Sequence, residues 1–149
     1  MMRHMVVFFL VVIGTFMVDQ AIKQLFVEGG YYLEGNCINL ELHYNKGVAF
    51  SMFAFLGEYL KWIQIVMVSL VLGLVVYEGY LKKYAFAIGL IVGGALGNIY
   101  DRFYHEGVVD YVAWHCGFNF AVFNYADVMI DLGVGLILLL SFLEGRKAR

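Results

Sequence analysis

Residues 84–102, YAFAIGLIVGGALGNIYDR, stay apolar from Tyr84 to Tyr100 with Asn98 as the one strongly polar side chain, then turn abruptly to Asp101-Arg102. At about 1.5 Å of rise per residue, a helix of this length spans most of a hydrocarbon core about 30 Å thick. Gly89, Gly93 and Gly97 recur every fourth residue, with Gly94 and Ala95 beside them. Small residues on one stripe let a second helix approach closely, so the stripe reads as packing. Such a helix needs partners, and three other segments meet the same length requirement: about Met5 to Phe26, about Tyr59 to Tyr77 and about Ala126 to Phe142. Tyr59, Trp62, Tyr77, Tyr80, Tyr84 and Tyr100 stand near span ends, at headgroup level. The expected fold is therefore a mainly α membrane protein: a four-transmembrane-helix bundle forming one unit over residues 1–149.

The composition agrees. Of 149 residues, 62% are hydrophobic, 15% are charged and none is proline, which excludes a disordered chain, a proline-turned solenoid and a soluble enzyme. Ten Lys and Arg, scattered, with a net charge of −2, offer no surface for nucleic acid. A cleaved signal peptide is an alternative for the first span, since Arg3 precedes an apolar run, but no small-x-small site follows and the run continues into Asp19 and Lys23.

Arg3, Lys82, Lys83, Arg146, Lys147 and Arg149 fall on one side of the four spans, which makes that side cytoplasmic, with both termini, by the positive-inside rule. The connections at about residues 27–58 and 101–125 then face outward. In the first, Ile38, Leu40, Leu42 and Tyr44 alternate with Asn39, Glu41, His43 and Asn45, the period of a strand with one apolar face. Asn45-Lys46-Gly47 breaks the run, and Val48 to Phe53 is expected either to return as a second strand of a small outer β-sheet or to dip into the interface. The second connection, Val108 to Phe123, is rich in aromatics (Tyr111, Trp114, Phe118, Phe120, Phe123) and is expected to lie along the interface as an aromatic loop.

Ionisable residues inside spans are costly and default to functional candidates. Counting about 1.5 Å per residue from the cytoplasmic ends puts Asp19, Asn98 and Asp131 roughly 20 to 23 Å up, with Lys23, Asp101 and Asp127 one turn higher. Three helices thus gather their polar residues in one slice near the outer boundary. Asp19 and Lys23, at i and i+4, can neutralise each other, and structural support is favoured over chemistry for them. Asp101-Arg102 reads as a helix-end charge pair, or as a guanidinium placed to hold a carbonyl or carboxylate. Asp127 and Asn124 suit a helix N-cap as well as they suit a site. Two carboxylates brought together at a low-dielectric boundary raise one another's proton affinity, and such a pair can activate water and protonate a leaving group.

Other chemistries have weaker signals. Cys37 and Cys116 lack CxxC or zinc spacing; both fall outside, where pairing is open to them. The four histidines lie on separate segments without a two-ligand motif, so no metal and no cofactor are expected. Ser51 has no nucleophile-elbow setting, and no glycine-rich phosphate loop is present.

Four blocks carry a resemblance: Asp19-Gln20-Ala21-Ile22-Lys23; Asn45-Lys46-Gly47-Val48-Ala49-Phe50-Ser51; residues 93–102, GGALGNIYDR, with Gly107-Val108-Val109-Asp110-Tyr111; and Phe123-Asn124-Tyr125-Ala126-Asp127. In this order they resemble the signature blocks of signal peptidase II, the lipoprotein signal peptidases. The resemblance implies an aspartic peptidase of the bacterial inner membrane that removes the signal peptide of diacylglyceryl-modified prolipoproteins just before the lipidated cysteine, with its site near the outer face. It implies Asp110 and Asp127 as the catalytic dyad, Asn45, Gly47, Asn98, Arg102 and Asn124 as substrate-positioning residues, and Asp19, Lys23 and Asp101 as support. The implied partners are prolipoprotein substrates and membrane lipid, and a monomer is expected. The chain departs from the family where Phe-Pro is frequent and Ala121-Val122 stands here. Asp131, outside the pattern, is expected to bond a polar residue on a neighbouring helix rather than to perturb the dyad.

Two rival readings remain at this level. A small proton- or ion-translocating protein needs polar residues at several depths, and below the outer slice the spans have almost none. A structural subunit whose carboxylates only cap helices leaves Asp110 and Asp127 exchangeable for Asn.

Overall fold

The computed structural model describes residues 2–47 and 52–147. Its helices are α1 (Met2–Val27), α2 (Tyr59–Tyr77), α3 (Leu81–Tyr104) and α4 (Tyr125–Lys147), with strands β1 (Ile38–Asn45) and β2 (Val108–Trp114) and a 3-10 turn at Ala54–Leu56. All four helices are long and apolar enough to cross a membrane.

The third span is longer than the hydropathy suggests. Its helix starts at Leu81, passes a non-helical residue at Tyr84 (φ −117°, ψ 22°) and continues to Tyr104. Lys82 and Lys83 therefore sit in its first turn, and Asn98, Asp101 and Arg102 all project from its last two turns.

α3 is the centre of the bundle. Some 67% of its apolar window is buried, against 6% for α2. The glycines explain this on both flanks. A Cβ at Gly89 or Gly93 would run into Val11 and Thr15 of α1. One at Gly94 would strike the Ala126 carbonyl of α4, and Gly133 of α4 meets Ala87 and Ile91 in the same way. Backbone-to-backbone approach on two faces lets Phe8, Val12, Ile88 and Val92 close one core, while α2 leaves most of its surface for lipid.

The sheet corrects one expectation. β1 covers the expected alternating run, but its partner is β2, antiparallel, with Ile38 opposite Trp114, His43 opposite Asp110 and Asn45 opposite Val108. The expected return strand at Val48 to Phe53 falls largely on residues 48–51, outside the described residues. Val108 to Trp114 is thus ladder rather than interfacial loop, because Val108, Val109 and Tyr111 alternate with nothing exposed: Val109 is fully buried and Phe26 of α1 stacks on Tyr111 at 4.3 Å. The register shifts between Leu40 and His43, where β1 has one residue more than β2. Such a bulge twists the strand, here directly beside Asp110. Cys37 and Cys116 form a disulfide that closes the far end of the same two strands.

Candidate active site

The site is built on a buried charge cluster. Lys23 of α1, 2% exposed, holds Asp19 Oδ2 and Asp101 Oδ2, each at 2.7 Å, and donates to Asn98 Oδ1 at 3.0 Å. Its three donors meet three acceptors, which is what makes a buried ammonium tolerable. Gln20 adds bonds to Asp19 Oδ2 at 3.1 Å and Asp101 Oδ1 at 3.0 Å. The cluster also reaches outward: Asp19 Oδ1 accepts the Ala126 N–H at the start of α4, and Asp101 Oδ2 accepts the Val109 N–H of β2. Gly97 makes room for it, since a Cβ there would overlap the Asp19 carboxylate. The glycine stripe read only as packing is therefore also the seat of this cluster. Asp101 does not form the helix-end pair with Arg102; it faces Lys23 instead.

Above the cluster, the Asn124 side-chain amide joins the Asp110 carboxylate to the backbone N–H of Asp127. Asn124 Nδ2 donates to Asp110 Oδ1 at 2.7 Å, to Asn98 Oδ1 at 3.0 Å and to the Val109 carbonyl at 3.2 Å. Its own Oδ1 accepts the Asp127 N–H at 2.9 Å, and Asp127 Oδ2 accepts the Asn124 N–H at 3.2 Å. This is a reciprocal capping box at the start of α4. Asp127 Oδ1 takes the Asn98 amide at 2.8 Å, and Asp110 Oδ2 takes the Asn45 amide at 3.1 Å. Tyr111 Oη accepts the Tyr125 N–H at 3.0 Å and so ties the α4 terminus to β2.

Asp110, 2% exposed, is pushed up to about 7: burial disfavours its charge most, the nearby Asp127 charge adds to this, and the bonds from Asn45 and Asn124 only partly offset them. Arg102 donates to the Asn98 and Gly47 carbonyls, and its charge lies within reach of Asp110, Asp101 and Asp127. Asn45 Oδ1 accepts the Gly47 N–H at 3.0 Å, folding the turn that brings the Gly47 carbonyl to Arg102. All ten residues singled out in the sequence thus join one connected network.

A cavity of about 330 Å³ opens over Asn45, Asn98, Arg102, Asp110 and Asp127, walled by the chain from Phe120 to Phe123 that carries the Ala121-Val122 departure. Asp131 lines it too and makes no bond to a neighbouring helix among the described residues, contrary to expectation; it is an exposed carboxylate one turn deeper on the cavity wall. Two residues were not singled out. Gln20 stands within a quoted block without an assigned role, and Gln64 of α2 lines the cavity from the far side. The signal for both was available: each is a strongly polar side chain inside an apolar span, at the depth of the others.

A model of the family described as signal peptidase (SPase) II matches residues 11–143. A lipoprotein signal peptidase of Sulfurovum sp. (strain NBC37-1) is 63% identical over 147 residues, covering 99% of this chain and 100% of its own. One of Sulfurimonas denitrificans is 59% identical, covering 94% and 90%, and one of Helicobacter pylori (strain P12) is 48% identical, covering 93% and 90%. Two solved bacterial membrane enzymes share the fold. One has a TM-score of 0.78 at 24% identity, covering 95% of this chain and 91% of its own. The other has a TM-score of 0.70 at 26% identity, covering 89% and 90%. Matched over nearly its whole length, and carrying its polar blocks in one buried network, the chain belongs to the signal peptidase II family.

Proposed function

We propose that this peptidase cleaves the signal peptide from diacylglyceryl-modified prolipoproteins just before the lipidated cysteine, with Asp110 and Asp127 as its catalytic pair. The observation that carries the reading is the single amide of Asn124, which binds Asp110 through its nitrogen and caps Asp127 through its oxygen at the floor of one cavity. Around neutral pH such a pair titrates as a unit and holds one proton. The ionised member takes a proton from a water, whose oxygen attacks the scissile carbonyl. The protonated member hydrogen-bonds that carbonyl oxygen and stabilises the tetrahedral intermediate. As the C–N bond breaks, a carboxyl returns a proton to the departing amine, leaving the pair as it began. Arg102, beside the cavity, is placed to hold a substrate carbonyl, and Asn45, Gly47, Asn98 and Asn124 fix the geometry around it. Asp19, Lys23 and Asp101 support that arrangement from below.

The site belongs to the outer face of a bacterial inner membrane. Arg3, Lys82, Lys83, Arg146, Lys147 and Arg149 on the opposite side support this, and so does the Cys37–Cys116 disulfide, which persists in an oxidising compartment. A signal peptide's apolar helix lies in the bilayer while its cleavage point emerges at that boundary, so depth and chemistry coincide. In this reading the enzyme acts as a monomer, each copy carrying its own Asp110 and Asp127.

The test is cleavage of a synthetic prolipoprotein, with and without its diacylglyceryl group, by purified protein in lipid. Asp110→Asn and Asp127→Asn should each abolish cleavage of the lipidated substrate and remain folded. Full activity in either variant would remove that residue from the pair; equal cleavage of the unlipidated precursor would remove the lipid from the specificity. Proton or ion flux in liposomes without proteolysis would favour the translocator instead.

A further inference from the structure

Gln64 sits where two spaces meet. The polar cavity over the carboxylates shares Gln64, Asn98 and Ile130 with a second space of about 470 Å³, lined by Leu60, Ile63, Met67 and Val68 of α2 and by Ala95 and Ile99 of α3. The second space is almost wholly apolar. At the junction, Gln64 Oε1 is sealed from water and has no hydrogen-bond partner; among the described residues it is the only buried side-chain oxygen or nitrogen in that state. Native structures leave few such atoms, because each forfeits its hydration without compensation.

The other polar atoms around the cavity are engaged. Asn98 Oδ1 takes Lys23 and Asn124, and Asn45 Oδ1 takes the Gly47 N–H. Asp131 makes no hydrogen bond among the described residues, but it is exposed on the cavity wall, so water can solvate it. Among the described residues, Gln64 alone holds a buried side-chain acceptor without a partner.

The substrate required by the function proposed above brings the missing donor. Its apolar segment suits the apolar space, but a peptidase reaches a peptide bond only in extended chain, so the helix must unwind before the scissile bond. At that depth, unwound backbone has no water to replace its lost internal bonds, and each N–H needs a partner from the protein. We propose that Gln64 Oε1 accepts one backbone N–H from the few signal-peptide residues preceding the scissile bond, and so positions that bond over Asp110 and Asp127. Gln64 is then a substrate-positioning residue at the passage from apolar groove to catalytic cavity, and it reads backbone rather than side chain.

The experiment is a cycle between protein and substrate. Lipidated precursor peptides are made in which the amides of the four residues before the cleavage site are replaced, one at a time, by esters, each deleting a single N–H. With wild-type enzyme, one position should lower kcat/KM about tenfold and its neighbours much less. Gln64→Leu should lower kcat/KM on the all-amide peptide by a similar factor, and should be indifferent to the ester at the sensitive position. Losses that multiply at every position, or full activity of Gln64→Leu, overturn the proposal. If Gln64→Leu does not fold, the wild-type scan decides alone, and a flat scan overturns it. The parent peptide separates the two readings: failure of wild type to cut it rejects the peptidase assignment, whereas efficient cutting with an additive cycle rejects only Gln64.

Discussion

Asn124 and Asp127 cap each other across the first turn of α4, Asn124 Oδ1 accepting the Asp127 N–H at 2.9 Å and Asp127 Oδ2 accepting the Asn124 N–H at 3.2 Å. The two readings of Asp127, cap and catalyst, are therefore not exclusive. A capping box needs only one carboxylate oxygen of Asp127, and the other points to Asn98 and the cavity. The device that ends the loop also locks the rotamer of a site carboxylate.

The cap and the link to Asp110 can be separated by substitution at Asn124. Asn124→Ser keeps an N-cap oxygen but loses the amide that bonds Asp110, Asn98 and the Val109 carbonyl. It should cost about 1 kcal/mol or less of cap stability beyond the lost bonds, yet reduce kcat at least tenfold. Asn124→Ala should show the same kinetic loss with a further drop in melting temperature. Thermal unfolding and cleavage rates on the same preparations distinguish the two contributions.

Removing Lys23 should be far worse than removing the whole cluster. Lys23→Met leaves Asp19 and Asp101 buried together without a cation, for which about 3–5 kcal/mol of destabilisation is expected. Asp19→Asn and Asp101→Asn added to Lys23→Met should recover part of that loss. Denaturation in a mild detergent series measures both; additive losses across the triple variant would contradict a mutually neutralising cluster.

Gly97 and Gly73 offer a matched pair. Gly97→Ala drives a methyl into the Asp19 carboxylate, whereas Gly73 of α2 has nothing within 4 Å of an added Cβ. Gly97→Ala should destabilise by about 1–3 kcal/mol and depress activity, whereas Gly73→Ala should be neutral to stabilising by up to about 1 kcal/mol. Their melting temperatures, read together, separate crowding from helix propensity.

The pH profile should carry the mark of Asp110. Its carboxyl, raised to about 7 from an ordinary 3.8, binds its proton more tightly in the folded chain than in the unfolded one. The resulting stability is full below about pH 4 and is lost as pH rises through about 7. Asp110→Asn, which cannot ionise, should therefore outlast wild type in thermal unfolding at pH 9, with the gap closing toward pH 5. Wild-type kcat/KM should fall on the alkaline side of about 7, where the pair loses the proton that it needs on one member. A stability gap independent of pH would mean that Asp110 is not the titrating group.

Much of this was written in the chain's linear order. The four spans follow from runs of apolar residues matched to the thickness of a bilayer, a constraint that acts on each segment separately. β1 follows from its period of two, and the depth of Asp19, Asn98 and Asp127 from rise per residue alone. What the linear order left open were the pairings. That β1 lies against β2, that Cys37 meets Cys116, that Asp101 turns to Lys23 and not to its neighbour Arg102, and that Gln64 closes the cavity from α2 all depend on contacts between residues far apart in sequence. Local periodicity reports which face of an element is apolar, but not which of several polar partners will satisfy a buried donor. That choice was made by α3, whose bare glycine faces draw α1 and α4 close enough for Lys23 to reach Asp19 and Asp101, and for Asn98 and Asn124 to reach Asp127 and Asp110.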